Sequence, residues 1–220
     1  MRIIHFFALA LFLPFITAEA QETEGSDPFP EFSQAISIVP QYAAISGIRF
    51  DYERKLKNGA NWLLFAPQFY SDQNGYNDYD KFSGFGMNVY FKKFIAHGRN
   101  TNSNGLSRVN VYFSAGPTFQ YFDLKSVEEV PEEYVENGVA YIRFNSQDVS
   151  SKIYKIGGNS DFGLQFIFDQ FVLDLYAGMG IRFAMDNDGK TAESLNDYWV
   201  EPGYSGILLD GGVRFGFMLK

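Results

Sequence analysis

The side chains best placed for chemistry in this 220-residue chain are charged groups set between large apolar ones. Arg49, Asp51, Glu53 and Lys55 occupy alternate positions of one stretch, opposite in facing to Ile48, Phe50 and Tyr52. Lys92, Asp174, Arg182 and Arg214 hold the same kind of position in other stretches. Successive side chains of an extended chain point to opposite faces, so these eight would share the interior of a closed sheet with an apolar exterior. A barrel of eight strands has an interior just filled by side chains. Charges held there must be paired, since an unpaired one costs on the order of several kcal/mol. The expected arrangement is a salt-bridged network that closes the lumen, with a narrow ion path as the alternative.

Other chemistry finds little support. Hydrolysis or acyl transfer needs a nucleophile and a general base with a pKa near neutrality. The two histidines are His5 and His97. His5 falls in the apolar leader, and His97 sits beside Gly98 and Arg99 with no Ser-based strand motif near it. No catalytic residue is therefore expected. The absence of Cys excludes disulfides, thiol catalysis, Cys-based zinc sites and lipoprotein acylation through a Cys. Asp186-Asn187-Asp188-Gly189 has the composition of a calcium loop, but its Gly and the following Glu fall at the wrong spacing for an EF-hand. No cofactor is expected. A net charge of -8 argues against nucleic acid as a partner.

The elements that must position the charges are strands. In residues 162–183 large apolar residues fall on alternate positions, Phe162 to Phe168 and then Phe171 to Phe183, around a turn at Asp169-Gln170. A two-residue turn sets Phe168 opposite Phe171 and puts both apolar sets on one face. The other face holds Gly163, Gln165, Asp174, Tyr176, Gly178, Gly180 and Arg182. Bulky residues outside with small or charged ones inside is the pattern of a membrane β-barrel. The same alternation recurs in residues 45–56, 82–94, 108–122 and 207–220. A short piece at 35–39, a strand of ambiguous facing at 61–70 and a strand from Ile153 complete eight strands of an all-β, antiparallel up-and-down transmembrane barrel. Ten are expected if residues 123–152 or 184–205 hold another pair. Those two stretches and residues 71–81 read as polar outer loops, with turns at Lys57 and Asp169 on the inner side. Residues 95–107 read as a polar connection. Tyr42, Tyr52, Trp62, Tyr70, Tyr121, Tyr154, Trp199 and Tyr204 lie near strand ends or in outer loops, where some would form interfacial girdles.

Residues 1–20 read as a secretory signal peptide, with Arg2, an apolar run and the Ala18-Glu19-Ala20 cleavage pattern. Residues 21–34 then form a loose periplasmic lead-in, and residues 35–220 the barrel domain.

The stretches GIRFDYERKL (47–56), VYFSAGPTFQYF (111–122), LYAGMGIRF (175–183) and GGVRFGFMLK (211–220) resemble small outer-membrane β-barrels of the OmpX or OmpA transmembrane-domain type, including those of Bacteroidetes. Such barrels often end on an aromatic residue, whereas this chain ends Met218-Leu219-Lys220. The resemblance implies a Gram-negative outer-membrane location, with lipid, lipopolysaccharide and the barrel-assembly machinery as partners. It also implies a structural or surface-interaction role through acidic loops, with the extracellular partner open. A porin-like channel shares this fold. A soluble periplasmic lipocalin-like barrel binding an apolar ligand would need Phe166, Leu173 and Phe215 turned inward.

Overall fold

The computed structural model describes residues 31–57, 59–72, 79–99, 108–187 and 189–220. The signal-peptide residues and the side chain of His97 lie outside that set. Eight strands follow in order: β1 (Gln34–Ile38), β2 (Gly47–Lys55), β3 (Asn61–Asp72), β4 (Lys81–Arg99), β5 (Arg108–Glu136), β6 (Val139–Phe168), β7 (Phe171–Asp186) and β8 (Gly206–Leu219). Each pairs antiparallel with the next, and β8 pairs back onto β1 to close the barrel. The chain is an eight-stranded, all-β, up-and-down barrel; residues 123–152 extend β5 and β6 and add no further pair.

The facing follows the alternation. At the β6–β7 turn Phe168 lies opposite Phe171, and Asp169 takes the left-handed backbone conformation that Asp tolerates (φ 58°). Phe162, Leu164, Leu175, Met179, Ile181 and Phe183 point outward and are exposed. Phe166 and Leu173 pair on that same outer face, and Phe215 lies beside Leu173. Gln165, Asp174 and Arg182 are buried inside. β7 carries outward apolar residues at every second position from Phe171 to Met185. At about 3.3 Å per residue and a tilt of about 40° that belt stands about 35 Å tall.

Several expectations need correction. β4 runs on to Arg99 through a bulge at Phe94–Ala96 and pairs with β5 as far as Arg108, so residues 95–99 belong to the wall. β2 begins at Gly47, because Pro40–Ile45 forms a 3-10 helix that ends at left-handed Ser46. Residues 126–149 are no loop: β5 and β6 pair without a break to Glu136 and Val139, forming a two-stranded ribbon beyond the last partners of β4 and β7. At about 3.3 Å per residue it projects about 30 Å. The end of the lead-in is not loose, since Phe32 is buried and the Ser33 amide donates to Leu219 O at 2.9 Å.

Inside, the barrel is layered. At the end that holds Phe32 and the C-terminal residues, Phe32, Trp62, Phe94, Ile167, Val172 and Met218 form an apolar plug. At the ribbon end, Tyr70, Phe82, Phe122, Leu124, Ile153 and Leu195 form another, with Tyr42 and Tyr79 against it. Trp62 and Tyr70 therefore pack inside the barrel and not in a girdle. Tyr121 and Tyr154 do pair on the outer face, ring centroids 5.1 Å apart. Trp62 is 1% exposed and Trp199 is 53% exposed. Guanidinium unfolding of Trp62→Ala should show a loss of about 3–5 kcal/mol, while Trp199→Ala should fall within about 0.5 kcal/mol of the parent.

Candidate functional site: a charge-filled lumen

Between the two plugs lies a set of six buried ionised side chains. Arg49, Asp51 and Glu53 project from one face of β2, Lys92 from β4, Asp174 from β7 and Arg214 from β8. The inward parity of each strand sets these directions. Asp174 and Arg214 are direct cross-strand partners, and their ion pair spans 3.3 Å. Lys92 Nζ reaches across the lumen to Glu53 Oε2 at 2.9 Å and to Asp174 Oδ2 at 3.2 Å, so β4 is tied to both β2 and β7. Arg49 holds Asp51 with two donors, Nε at 2.6 Å and Nη2 at 2.9 Å. Arg214 Nε lies 2.8 Å from Asp51 Oδ2, a close ion pair without hydrogen-bond alignment. Three cations thus meet three carboxylates.

Aromatic rings complete the set. Tyr112 OH donates to Asp174 Oδ1 at 2.6 Å and accepts from Arg214 Nη1 at 2.8 Å. The Arg214 guanidinium stacks over Tyr176 at 3.9 Å, and Lys92 Nζ lies 4.0 Å from the Tyr112 ring centroid. The Tyr112 ring needs Gly163 beneath it, where a Cβ would stand 2.1 Å from the ring. Tyr42 of the 3-10 helix accepts from Arg49 Nη1 at 3.3 Å.

A second, more mixed layer lies toward the ribbon. Asn159 Nδ2 donates to Tyr90 OH at 3.0 Å and to Asp210 Oδ2 at 2.9 Å, and its Oδ1 accepts from Arg182 Nη1. Lys155 Nζ donates to Glu201 O at 2.6 Å, so the loop after β7 is bound into the lumen mouth. Arg182 thus bonds to an amide in this layer and not to the six-membered set. Lys55 sits half-buried at the terminal end of β2, also outside the set.

Sequence reasoning missed Lys155 and Asp161, because both lie where the start of β6 was not resolved by pattern. Counting back from Gly163 and Gln165 at a period of two would have placed both inside. Asp161 is fully buried, and neither carboxylate oxygen has a hydrogen-bond partner among the described residues. The same holds for Ser114 Oγ on the facing position of β5. Asp186 acts as a turn cap, accepting from Gly189 N at 2.7 Å and Ala192 N at 2.6 Å. Its two oxygens are therefore committed to backbone, and Asp188 lies outside the described residues.

The six central groups pair with one another in charge, with apolar clusters on either side of them, while Arg214 Nε and Nη2 have no hydrogen-bond partner among the described residues. Such a set can hold a barrel in register. No family model, curated protein or solved structure matches the chain.

The layer gives paired stability predictions of opposite sign. Asp174→Asn leaves Lys92 and Arg214 short of a counter-charge, and denaturant unfolding should register a loss of about 3 kcal/mol. Asp161→Asn removes a buried carboxylate that has no hydrogen-bond partner among the described residues, and the same measurement should show a gain of about 1 kcal/mol.

Proposed function

We propose that the protein is an integral outer-membrane β-barrel with a closed, salt-bridged lumen and a structural or surface-interaction role. The observation that carries this reading is the outward facing of the apolar belt combined with the paired charges inside. A belt of Phe, Leu, Ile and Met about 35 Å tall covers the about 25 Å apolar band that such barrels present to lipid. In water it would be an exposed apolar surface far beyond what a monomer carries. The lipocalin-like alternative finds no support in this geometry, since Phe166, Leu173 and Phe215 lie on the outer face. The narrow-channel alternative would need a polar path through both plugs. Residues 1–20 supply the export signal, and lipid, lipopolysaccharide and the assembly machinery are the partners of insertion.

The interaction surface of this reading is the ribbon. Residues 127–148 carry Glu128, Glu129, Glu132, Glu133, Glu136 and Asp148 against Arg143. Among the described residues its outer edges have no strand partner, and Val135, Ile142 and Phe144 are well exposed. A two-stranded ribbon is marginal in water by itself, so a basic, extended partner segment would gain both charge pairing and a free edge.

The mature protein should resist carbonate extraction from membranes and should change mobility on a gel when heated. Ready solubility in buffer would remove the membrane reading. In planar bilayers it should give no steady conductance; a reproducible unit conductance would replace the closed lumen by the channel. Substituting an Asn-Gly turn for residues 127–148 should leave the heat-modified shift of the barrel intact, because the ribbon adds nothing to the two plugs or the charge layer.

A further inference from the structure

The seam that closes the barrel is short. β8 pairs with β1 only from Phe215 to Leu219. β1 stops at Ile38, and the 3-10 helix Pro40–Ile45 follows where the wall strand would continue. Gln41 of that helix donates to Tyr176 OH at 3.0 Å and packs on Gly212, where a Cβ would stand 1.7 Å from Gln41 Nε2. Residues 206–213 of β8 thus pair with β7 on one side and, among the described residues, have no strand partner on the other.

At the ribbon end of this edge lies a cleft of about 350 Å³. Its floor is Ile207 and Leu209 of β8, and its walls are Tyr198, Trp199 and Tyr204, with Asp197 among them. The loop wall is held in place. The Glu201 carboxylate accepts the amides of Asp197 at 2.9 Å and Tyr198 at 3.1 Å, and Tyr204 OH donates to Ile207 O at 2.6 Å. Ile207 lies opposite Ile181, and Leu209 opposite Met179, all on the outer face. The cleft floor is therefore the upper continuation of the apolar belt.

We propose that this cleft is a lateral binding site for one acyl chain of an uncharged or zwitterionic amphiphile, entered from the lipid-facing side of β8. The proposal rests on the membrane reading above. Continuity with the belt selects an acyl chain, and Tyr198, Trp199 and Tyr204 of the loop stand beside the β8 residues along one side of an open cleft. Asp197 and the surrounding acidic loops disfavour an anionic headgroup.

Trp62 and Trp199 are the two tryptophans, and Trp62 is sealed in the lumen, so fluorescence quenching from the lipid phase reports Trp199. The experiment titrates chain-brominated lysophosphatidylcholine into the full mature protein in phosphatidylcholine nanodiscs. Trp199 quenching should saturate with mole fraction and reverse with unbrominated lysophosphatidylcholine. In an Ile207→Ser/Leu209→Ser variant the midpoint should shift to higher mole fraction. A Trp199→Phe/Phe162→Trp variant serves as the wall control, and its quenching should rise in proportion to the probe. If the wall control is quenched while Trp199 is unquenched or rises only in proportion, the cleft is no site and the membrane reading stands. If the wall control is not quenched either, the membrane reading fails and takes the site with it.

Discussion

A charge taken out of water must meet an opposite one, and the interior of an eight-stranded barrel is too narrow to leave that to solvent. The rest of this structure depends on that constraint. The apolar half of each strand points outward, so the charged half has nowhere to go but in. Three cations and three carboxylates then have to be brought within contact from four different strands. Lys92 is the member that makes this a property of the barrel and not of one hairpin. From β4 it touches Glu53 on β2 and Asp174 on β7, so the cross-section cannot change without breaking a buried pair. Its worth lies less in net stability than in uniqueness of register, because each partner is correct only if its strand is neither slipped nor inverted.

The plugs serve the same constraint from above and below. Phe32, Trp62 and Met218 at one end, and Tyr70, Phe122 and Leu195 at the other, pack as buried apolar clusters on either side of the charged layer. Low local dielectric strengthens each ion pair in between. The ribbon then has no part in holding the barrel closed. That leaves its sequence free to be acidic and its edges free to stay open, as Glu132, Glu133 and exposed Ile142 illustrate.

Much of the wall was legible because its signal is a strict period of two. Residues 162–183 read correctly for facing and turn, and Arg49, Asp51, Glu53, Lys92, Asp174 and Arg214 could be set inside from parity alone. Three kinds of feature were not legible. Trp62 and Tyr70 are aromatics near strand ends, and composition cannot say whether such a ring turns into the lumen or out to a girdle. In β3 both faces are apolar, so parity carried no contrast there. The ribbon was hidden for the opposite reason: both of its faces are wet over most of their length, and an acidic, Pro-containing stretch reads as a loop although Pro131 is tolerated beside a single partner strand. The bulge at Phe94–Ala96 shifted the parity of β4 and made residues 95–99 look unpaired.

The closure of the sheet shows why the charged layer stands where it does. The β1–β8 ladder is five pairs long, from Gln34–Leu219 to Ile38–Phe215. Arg214 is the next residue of β8 after that ladder stops. It reaches across β1 to Asp51 on β2, the second strand away, whose ladder partner is Ser37 of β1. Arg49, two residues along β2, holds Asp51 in place and touches Tyr42 of the 3-10 helix that fills the gap. On the far flank Gln41 fixes the same helix to Tyr176, the ring on which Arg214 stacks. Side chains therefore reinforce the seam at the level where the β1–β8 backbone pairing ends. A short, Pro-terminated β1 is compatible with a closed barrel because Arg214, Asp51, Arg49 and the helix form a second seam inside the first.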